Sequence, residues 1–527
     1  MSTAPQEVLI AGRWRPAHTN ATFSSENPAT AQALPELYPV STWADCDAAL
    51  AAASEAFVRL RSIPSTDIAK FLERYAERIE AVKGALVEVA HRESALPVAP
   101  RLSDAEFPRT VGQLRSAAAA ARDGSWALPT IDTKQGIRSC LAGIGPVLVF
   151  GPNNFPFAFN SIAGGDFAGA IAAGCPVIAK ANTSHPGTTR LFAIEAQAAA
   201  EETGMPPGMV QLLYRTSHSD GEKLVSDPRV GAIGYTGSRS AGLKLKAAAD
   251  AAGKPIYLEL SSVNPVVILP GALRERMGEV VEQFTGSCLM GTGQFCTNPG
   301  LILLLAGKET DAFVAQVAER FRAAPIGTLL SRSVAKTLGE AVSTLQQAGA
   351  EVLTGGEAGG GKGHSFGNTL LRATGQQFLA DPHALQTEAF GNESLIVVAD
   401  DLDQMARIID SLEGNLTGCI YSDKRGEDEP AAQRVGFHLR TKVGRLLNDK
   451  MPTGVAVSAA MNHGGPFPAT GHPGFTAVGI PASLRRFGQL HCYDNVRANR
   501  LPSLLADQNP TGQTWRLIDG EWTTRGL

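Results

Sequence analysis

The sequence contains no run of 18 apolar residues in its 527 positions, so no segment has the length and uniformity of a membrane-spanning helix. Cysteine is sparse: seven residues, an odd number, with no C-x-x-C pair and no His tract beside them, which argues against a disulfide framework and against a structural zinc site. An excess of one charge is also lacking. Lys and Arg total 47 against 51 Asp and Glu, a net charge of −4, so neither a nucleic-acid nor an anionic-membrane partner is expected. The opening Met-Ser-Thr-Ala-Pro-Gln-Glu has no basic stretch followed by an apolar one, and a reduced, cytoplasmic location is the expectation. No 20–50-residue repeat recurs, which excludes solenoids and propellers.

Two nucleotide-binding signatures are approached and missed. Gly237-Ser-Arg-Ser-Ala-Gly242 has Walker A spacing but carries Leu243 where Lys is needed, and the Lys362 of the Gly-rich 355–363 segment is followed by Gly363. Gly291-Thr-Gly293 reaches Cys296 where the Rossmann fingerprint needs Gly, and it follows a helical pattern instead of a strand.

What is present is an ordinary globular composition, 44% apolar and 19% charged, in a chain long enough for roughly three or four domains. Residues 43–92 carry helical spacing and predict two helices broken near Pro64. From 143 to 270, β-branched runs at 147–150, 177–179, 210–213, 232–235 and 256–260 alternate with Ala-rich helical stretches, the pattern of βα units in a parallel sheet. A second α/β region follows, with helices over 272–295 and 309–323 and strands over 300–306, 395–399 and 417–421. The 355–363 segment reads as a surface loop, and 463–481, dense in Gly, Pro and His, as a long ordered loop or linker.

One thiol stands in unusual surroundings. Cys296 lies in Gly-Thr-Gly-Gln-Phe-Cys-Thr-Asn-Pro-Gly, where small residues allow close approach of another surface. Upstream, Glu259 ends an apolar strand that would otherwise bury its charge. Carboxyl ends of parallel strands are where α/β proteins bind ligands, although a Glu there can equally cap the following loop.

Six ordered motifs carry a resemblance. Gly151-Pro-Asn-Asn-Phe-Pro156, Lys180, Thr236-Gly-Ser-Arg-Ser-Ala-Gly242, Leu258-Glu-Leu-Ser-Ser-Val-Asn-Pro265, Gly293-Gln-Phe-Cys-Thr297 and Glu388-Ala-Phe-Gly391 follow the order and spacing of the aldehyde dehydrogenase superfamily over nearly the whole chain. Gly293–Gly300, the Lys-Ala-Asn-Thr-Ser-His-Pro-Gly-Thr segment from Lys180 and His463-Gly-Gly-Pro-Phe-Pro-Ala-Thr470 most resemble its 2,5-dioxovalerate (α-ketoglutaric semialdehyde) dehydrogenase branch.

The resemblance implies two doubly wound α/β domains plus a small β oligomerisation element. Residues 1–130 and 146–265 would bind the dinucleotide and 266–480 would form the catalytic domain, while 131–145 and 481–527 would supply the oligomerisation element and tail of a homodimer or homotetramer. It implies Cys296 as nucleophile on the aldehyde carbon, Glu259 as general base for the thioester, and the Asn154 amide with the Cys296 N–H as oxyanion donors. Read alone, Asn154 is more readily a turn residue before Pro156. Lys180, Gly237, Ser238, Glu388 and Phe390 match cofactor-binding positions, and Thr183 stands where NAD-preferring members commonly carry Glu. A neutral hydroxyl there, with Lys180 and Arg215 or His218 nearby in sequence, favours NADP with tolerance of NAD. Arg109 is the candidate anchor for a substrate carboxylate, with a solvated helix charge as the alternative; Phe157, Phe159 and Phe295 are the candidate apolar wall. The expected reaction is oxidation of 2,5-dioxovalerate to 2-oxoglutarate, the alternative being a broad NADP-dependent aliphatic or fatty aldehyde dehydrogenase. Asn392 replaces a Pro after Phe-Gly, which leaves the geometry of that cofactor loop open.

Overall fold

The computed structural model describes residues 4–474 and 476–527. The five β-branched runs expected between 147 and 260 form strands Val147–Phe150, Val177–Lys180, Val210–Leu213, Ala232–Thr236 and Ile256–Glu259, all paired in parallel. Their near-continuous apolar character fits a sheet covered on both faces. Two short strands that the sequence reading lacks, Val8–Ile10 and Arg13–Arg15, extend this sheet to seven as an antiparallel hairpin. Ala11 and Gly12 turn it, both at positive φ (54° and 73°).

Strand order within the sheet reverses beside Val147–Phe150: the chain steps outward to Val177–Lys180 and Val210–Leu213, then returns to the other side with Ala232–Thr236. The crevice at that switch point lies between the loops that begin at Gly151 and Gly237.

Residues 43–94 form three helices, Trp43–Leu60, Ser65–Ala81 and Lys83–Ser94, where the periodicity suggested two. Pro64 makes the expected break. The second falls at Val82, whose backbone (φ −109°, ψ 17°) leaves the helical region without disturbing the apolar stripe.

A second seven-stranded sheet, with Leu301–Leu305 and Glu393–Ala399 near its centre, carries the other α/β layer. The helix expected over 272–295 spans Pro270–Leu289 and stops there. Gly291, Thr292 and Gly293 all have φ near 60°, so the chain reaches Cys296 as irregular backbone. The Gly-rich 355–363 segment is a largely exposed connection between Glu351–Thr354 and Thr369–Thr374.

A third sheet joins Thr130–Asp132 and Ile137–Gly143 to three late strands, Gly488–Asp494, Arg516–Ile518 and Glu521–Thr523. Leu490, Trp515 and Trp522, on or beside it, are each more than half exposed. Among the described residues no helix is long and apolar enough to cross a membrane.

Candidate active site

Glu259 is the last residue of its strand and sits at the carboxyl edge of the first sheet. The ordered loop over 463–481 runs back along this edge. Leu260 N–H donates to the Ala469 carbonyl (2.9 Å) and Gly471 N–H to that of Leu258 (3.0 Å), so the loop adds a short antiparallel bridge beside Glu259. The same loop delivers His463, whose Nε2 lies 2.9 Å from Glu259 Oε1 and 3.5 Å from Cys296 Sγ. Both His463 and Glu259 are almost wholly buried, and Glu259 Oε2 has no hydrogen-bond partner among the described residues.

Cys296 is reached by close backbone packing: a Cβ on Gly293 would fall on the Gly391 carbonyl, a contact only glycine permits. Asn264 Nδ2 donates to the Cys296 carbonyl (3.0 Å), which fixes the loop from the other side. Burial pushes the Cys296 thiol well above its ordinary pKa. The Glu259 carboxylate pushes the same way, and the Arg109 guanidinium opposes both. Asn154 is buried, its Nδ2 donating to the Gln294 carbonyl (3.0 Å), which places its amide against the segment that carries the thiol.

An aromatic wall adjoins the thiol. Phe155 packs edge-on against Phe159 (5.4 Å) and Phe295 (5.5 Å). Phe157 is not part of it: its ring is fully buried on the opposite side, against Phe107 and Phe192, and Phe155 takes the position expected of it. Two guanidinium groups lie over these rings. Arg101 stacks on Phe155 (4.3 Å) and is neutralised by Glu106 (2.6 Å), which also accepts from the Phe157 and Ala158 N–H groups. Arg109 lies 5.1 Å from the Phe159 ring centroid and donates from Nε to Gln113 Oε1 (3.1 Å), but its buried Nη2 has no partner among the described residues. Burial draws its pKa below the ordinary arginine value, and nearby Glu106, Cys296 and Glu259 offset part of that. Arg109 is therefore a core-facing cation and not a solvated helix charge.

On the cofactor side, Lys180 ends its strand and Thr183 follows, half-buried, in the next loop. Burial, together with the charge of Arg215, lowers the Lys180 ammonium to about 8. Among the described residues no carboxylate pairs with Lys180. Ser238 precedes helix Arg239–Ala251 and its side chain makes no capping bond, so it leaves first-turn N–H groups open at the switch-point crevice. Across the crevice, Glu388 and Phe390 join Ser262, Phe295 and Asn298 around a cleft of about 270 Å³. Burial raises Glu388 to about 8, against the pull of a Ser262 N–H. Lys180 and Arg215, which have no ion pair among the described residues, a free helix start and an adjoining cleft fit the pyrophosphate, ribose and ring of a nicotinamide dinucleotide. In the loop beside them Asn392, in place of Pro, donates to the Phe366 carbonyl (2.8 Å) and Asn368 Oδ1 (2.7 Å), a bracing that Pro could not make.

His463, Arg101 and Phe155 are site residues that motif reading passed over. His463 stands 167 positions from Cys296 and 204 from Glu259, beyond any spacing rule. The one signal for it was its place at the head of the Gly-Pro-rich 463–470 motif.

The aldehyde dehydrogenase family model matches residues 14–465. Alpha-ketoglutaric semialdehyde dehydrogenase 2 of Azospirillum brasilense is 42% identical over 497 residues, covering 92% of this chain and 93% of its own length. An alpha-ketoglutaric semialdehyde dehydrogenase of Acinetobacter baylyi is 35% identical over 514 residues, covering 95% and 96%. In fold, the chain is similar to a mutant aldehyde dehydrogenase C from Pseudomonas syringae crystallised with NAD+ and octanal. The TM-score is 0.80 at 20% identity, over 94% of this chain and 98% of that one.

Proposed function

The chain belongs to the aldehyde dehydrogenase family, and from that premise we propose that it oxidises 2,5-dioxovalerate to 2-oxoglutarate with NADP, NAD being accepted less well. The observation that carries the substrate reading is Arg109: a buried guanidinium with a free Nη2, beside the aromatic wall and electrostatically felt by Cys296. A distal carboxylate would neutralise it, and a guanidinium offers two parallel donors to such a group. The two relatives named for the same semialdehyde support this assignment.

In the reaction proposed, the Cys296 thiol gives its proton to Glu259, from which it passes to solvent, and the sulfur attacks the aldehyde carbon, forming a thiohemiacetal. Asn154 Nδ2, turned from the Gln294 carbonyl, donates to the developing oxyanion together with the Cys296 N–H. A bound nicotinamide, held beside Glu388 and Phe390, would supply the hydride acceptor, and loss of the hydride from the carbon leaves Cys296 as a thioester. Glu259 then removes a proton from water, which attacks the acyl carbon and releases the acid and the thiolate. A general base of this kind contributes roughly 10²–10⁴-fold. His463 is a positioning residue: its hydrogen bond holds Glu259 Oε1 and leaves Oε2 for the water.

Thr183 in place of a carboxylate, with Lys180 and Arg215 close together and lacking an anion, supports a 2′-phosphate on the cofactor. Residues 1–130 and 146–265 are proposed as the cofactor domain and 266–480 as the catalytic one. The exposed Leu490, Trp515 and Trp522 support a homodimer or homotetramer built on the sheet formed by 131–145 and 481–527. Seven unpaired thiols suit the reducing cytoplasm.

The three-ring wall favours a second reading, a general aliphatic aldehyde dehydrogenase. Reduced-cofactor formation with 2,5-dioxovalerate, succinic semialdehyde and hexanal separates them. A kcat/KM advantage for the carboxylated aldehydes that vanishes in Arg109→Met supports the first reading; a preference for hexanal in the unmodified enzyme refutes it.

A further inference from the structure

Cys296 Sγ, His463 Nε2 and a Glu259 carboxylate oxygen lie within 4.8 Å of one another, three donors of the types that bind zinc. Their spacing is close to that of a ligand set. Tetrahedral angles with Zn–S of about 2.3 Å and Zn–N of about 2.0–2.1 Å place sulfur and nitrogen about 3.5 Å apart. The observed Sγ–Nε2 separation is 3.5 Å. On the same bond lengths the nitrogen–oxygen separation is about 3.3 Å, against 2.9 Å between His463 Nε2 and Glu259 Oε1. A second, independent feature points into the same space: Glu259 Oε2 is buried without a hydrogen-bond partner.

We propose that Cys296, His463 and Glu259 form a three-ligand site for a zinc-like divalent cation, and that its occupation reversibly switches off the enzyme. Binding forms Zn–S, Zn–N and Zn–O bonds in place of the His463–Glu259 hydrogen bond, shifts the His463 ring proton from Nε2 to Nδ1, releases the thiol proton to solvent and leaves a fourth position for water. Sulfur and imidazole select zinc over magnesium or calcium, which prefer oxygen. The ligands are held from outside: His463 N–H donates to Thr476 Oγ1 (2.8 Å), and Asn264 pins the Cys296 carbonyl. Glu259, His463 and Thr476 also border a small cleft on the side of the site away from Cys296.

The binding site stands on geometry alone; the switching rests on Cys296 being the nucleophile. Zinc alone is titrated into the full-length, cofactor-free protein against a chromophoric chelator, with Cys492→Ser as the background because Cys492 is the exposed thiol among the described residues. One tight zinc per chain is expected. It should weaken roughly 100-fold or more in Cys296→Ser and in His463→Asn, beyond the 10–100-fold typical of altering outer partners alone. Each variant is checked for an unchanged melting profile first. A cobalt titration adds a readout independent of activity, a thiolate-to-cobalt charge-transfer band absent from Cys296→Ser. Zinc binding that persists in both ligand variants, or that disappears with Cys492→Ser, overturns the site. Tight zinc at Cys296 with undiminished turnover would leave the site standing and overturn the nucleophile assignment instead.

Discussion

Removing the His463 imidazole should slow thioester hydrolysis far more than it slows acylation. Its Nε2 makes the 2.9 Å hydrogen bond to Glu259, whose other oxygen has no partner among the described residues, so His463→Ala leaves a buried carboxylate without a side-chain donor from among them. A hydrogen bond to a charged group is worth about 1.5–3 kcal/mol. At about 1.4 kcal/mol per factor of ten, deacylation should fall about 10- to 150-fold. Rapid-quench measurement of acyl-enzyme formation and decay separates the two steps, and His463→Gln, which keeps a donor, should recover part of the rate. A deacylation rate within about threefold of the parent at every pH would refute the positioning role, since a bond of that strength cannot be lost at so little cost.

Thr183→Glu should turn preference from NADP towards NAD by placing a carboxylate where a 2′-phosphate would lie; an unchanged ratio of the two kcat/KM values counts against the phosphate site. The affinity advantage of NADP over NAD should decline as pH climbs through about 8, because Lys180 gives up its proton there and the phosphate loses a cation; calorimetric titration across that range measures it. Gly293→Ala adds a Cβ onto the Gly391 carbonyl at a residue with φ of 66°. Strain of this kind costs about 1–3 kcal/mol before the clash is counted, so the thermal midpoint should drop and activity should fall with it.

The sequence disclosed those features whose signal is local. Strand runs of four or five apolar residues were plain, and so were Cys296 among glycines and Glu259 at a strand end. The Val8–Arg15 hairpin was hidden because three-residue strands carry too little periodicity to read. The break at Val82 was hidden because the helical stripe continues through it. Phe155, Phe157 and Phe159 sit at alternate positions of one non-helical segment, and only packing against Phe107 and Phe192 decides that the middle ring turns into the core. Arg101 and Arg109 look alike as letters. Their difference is tertiary: Glu106 reaches one and leaves the other without a carboxylate.

The bridge between the Glu259 strand and the 469–471 loop bears on how the chain is made. Ile256–Glu259 is the outermost strand of its sheet, and that edge stays bare until a loop some 200 residues further on has been synthesised. At about 5–20 residues per second the nascent chain exposes an unpaired strand for about 10–40 s. During that interval the protein is most prone to wrong pairing with a neighbour, and chaperone protection counts most. A product truncated before residue 469 would keep its first sheet permanently open, and would be expected to aggregate even though every strand of that sheet is intact.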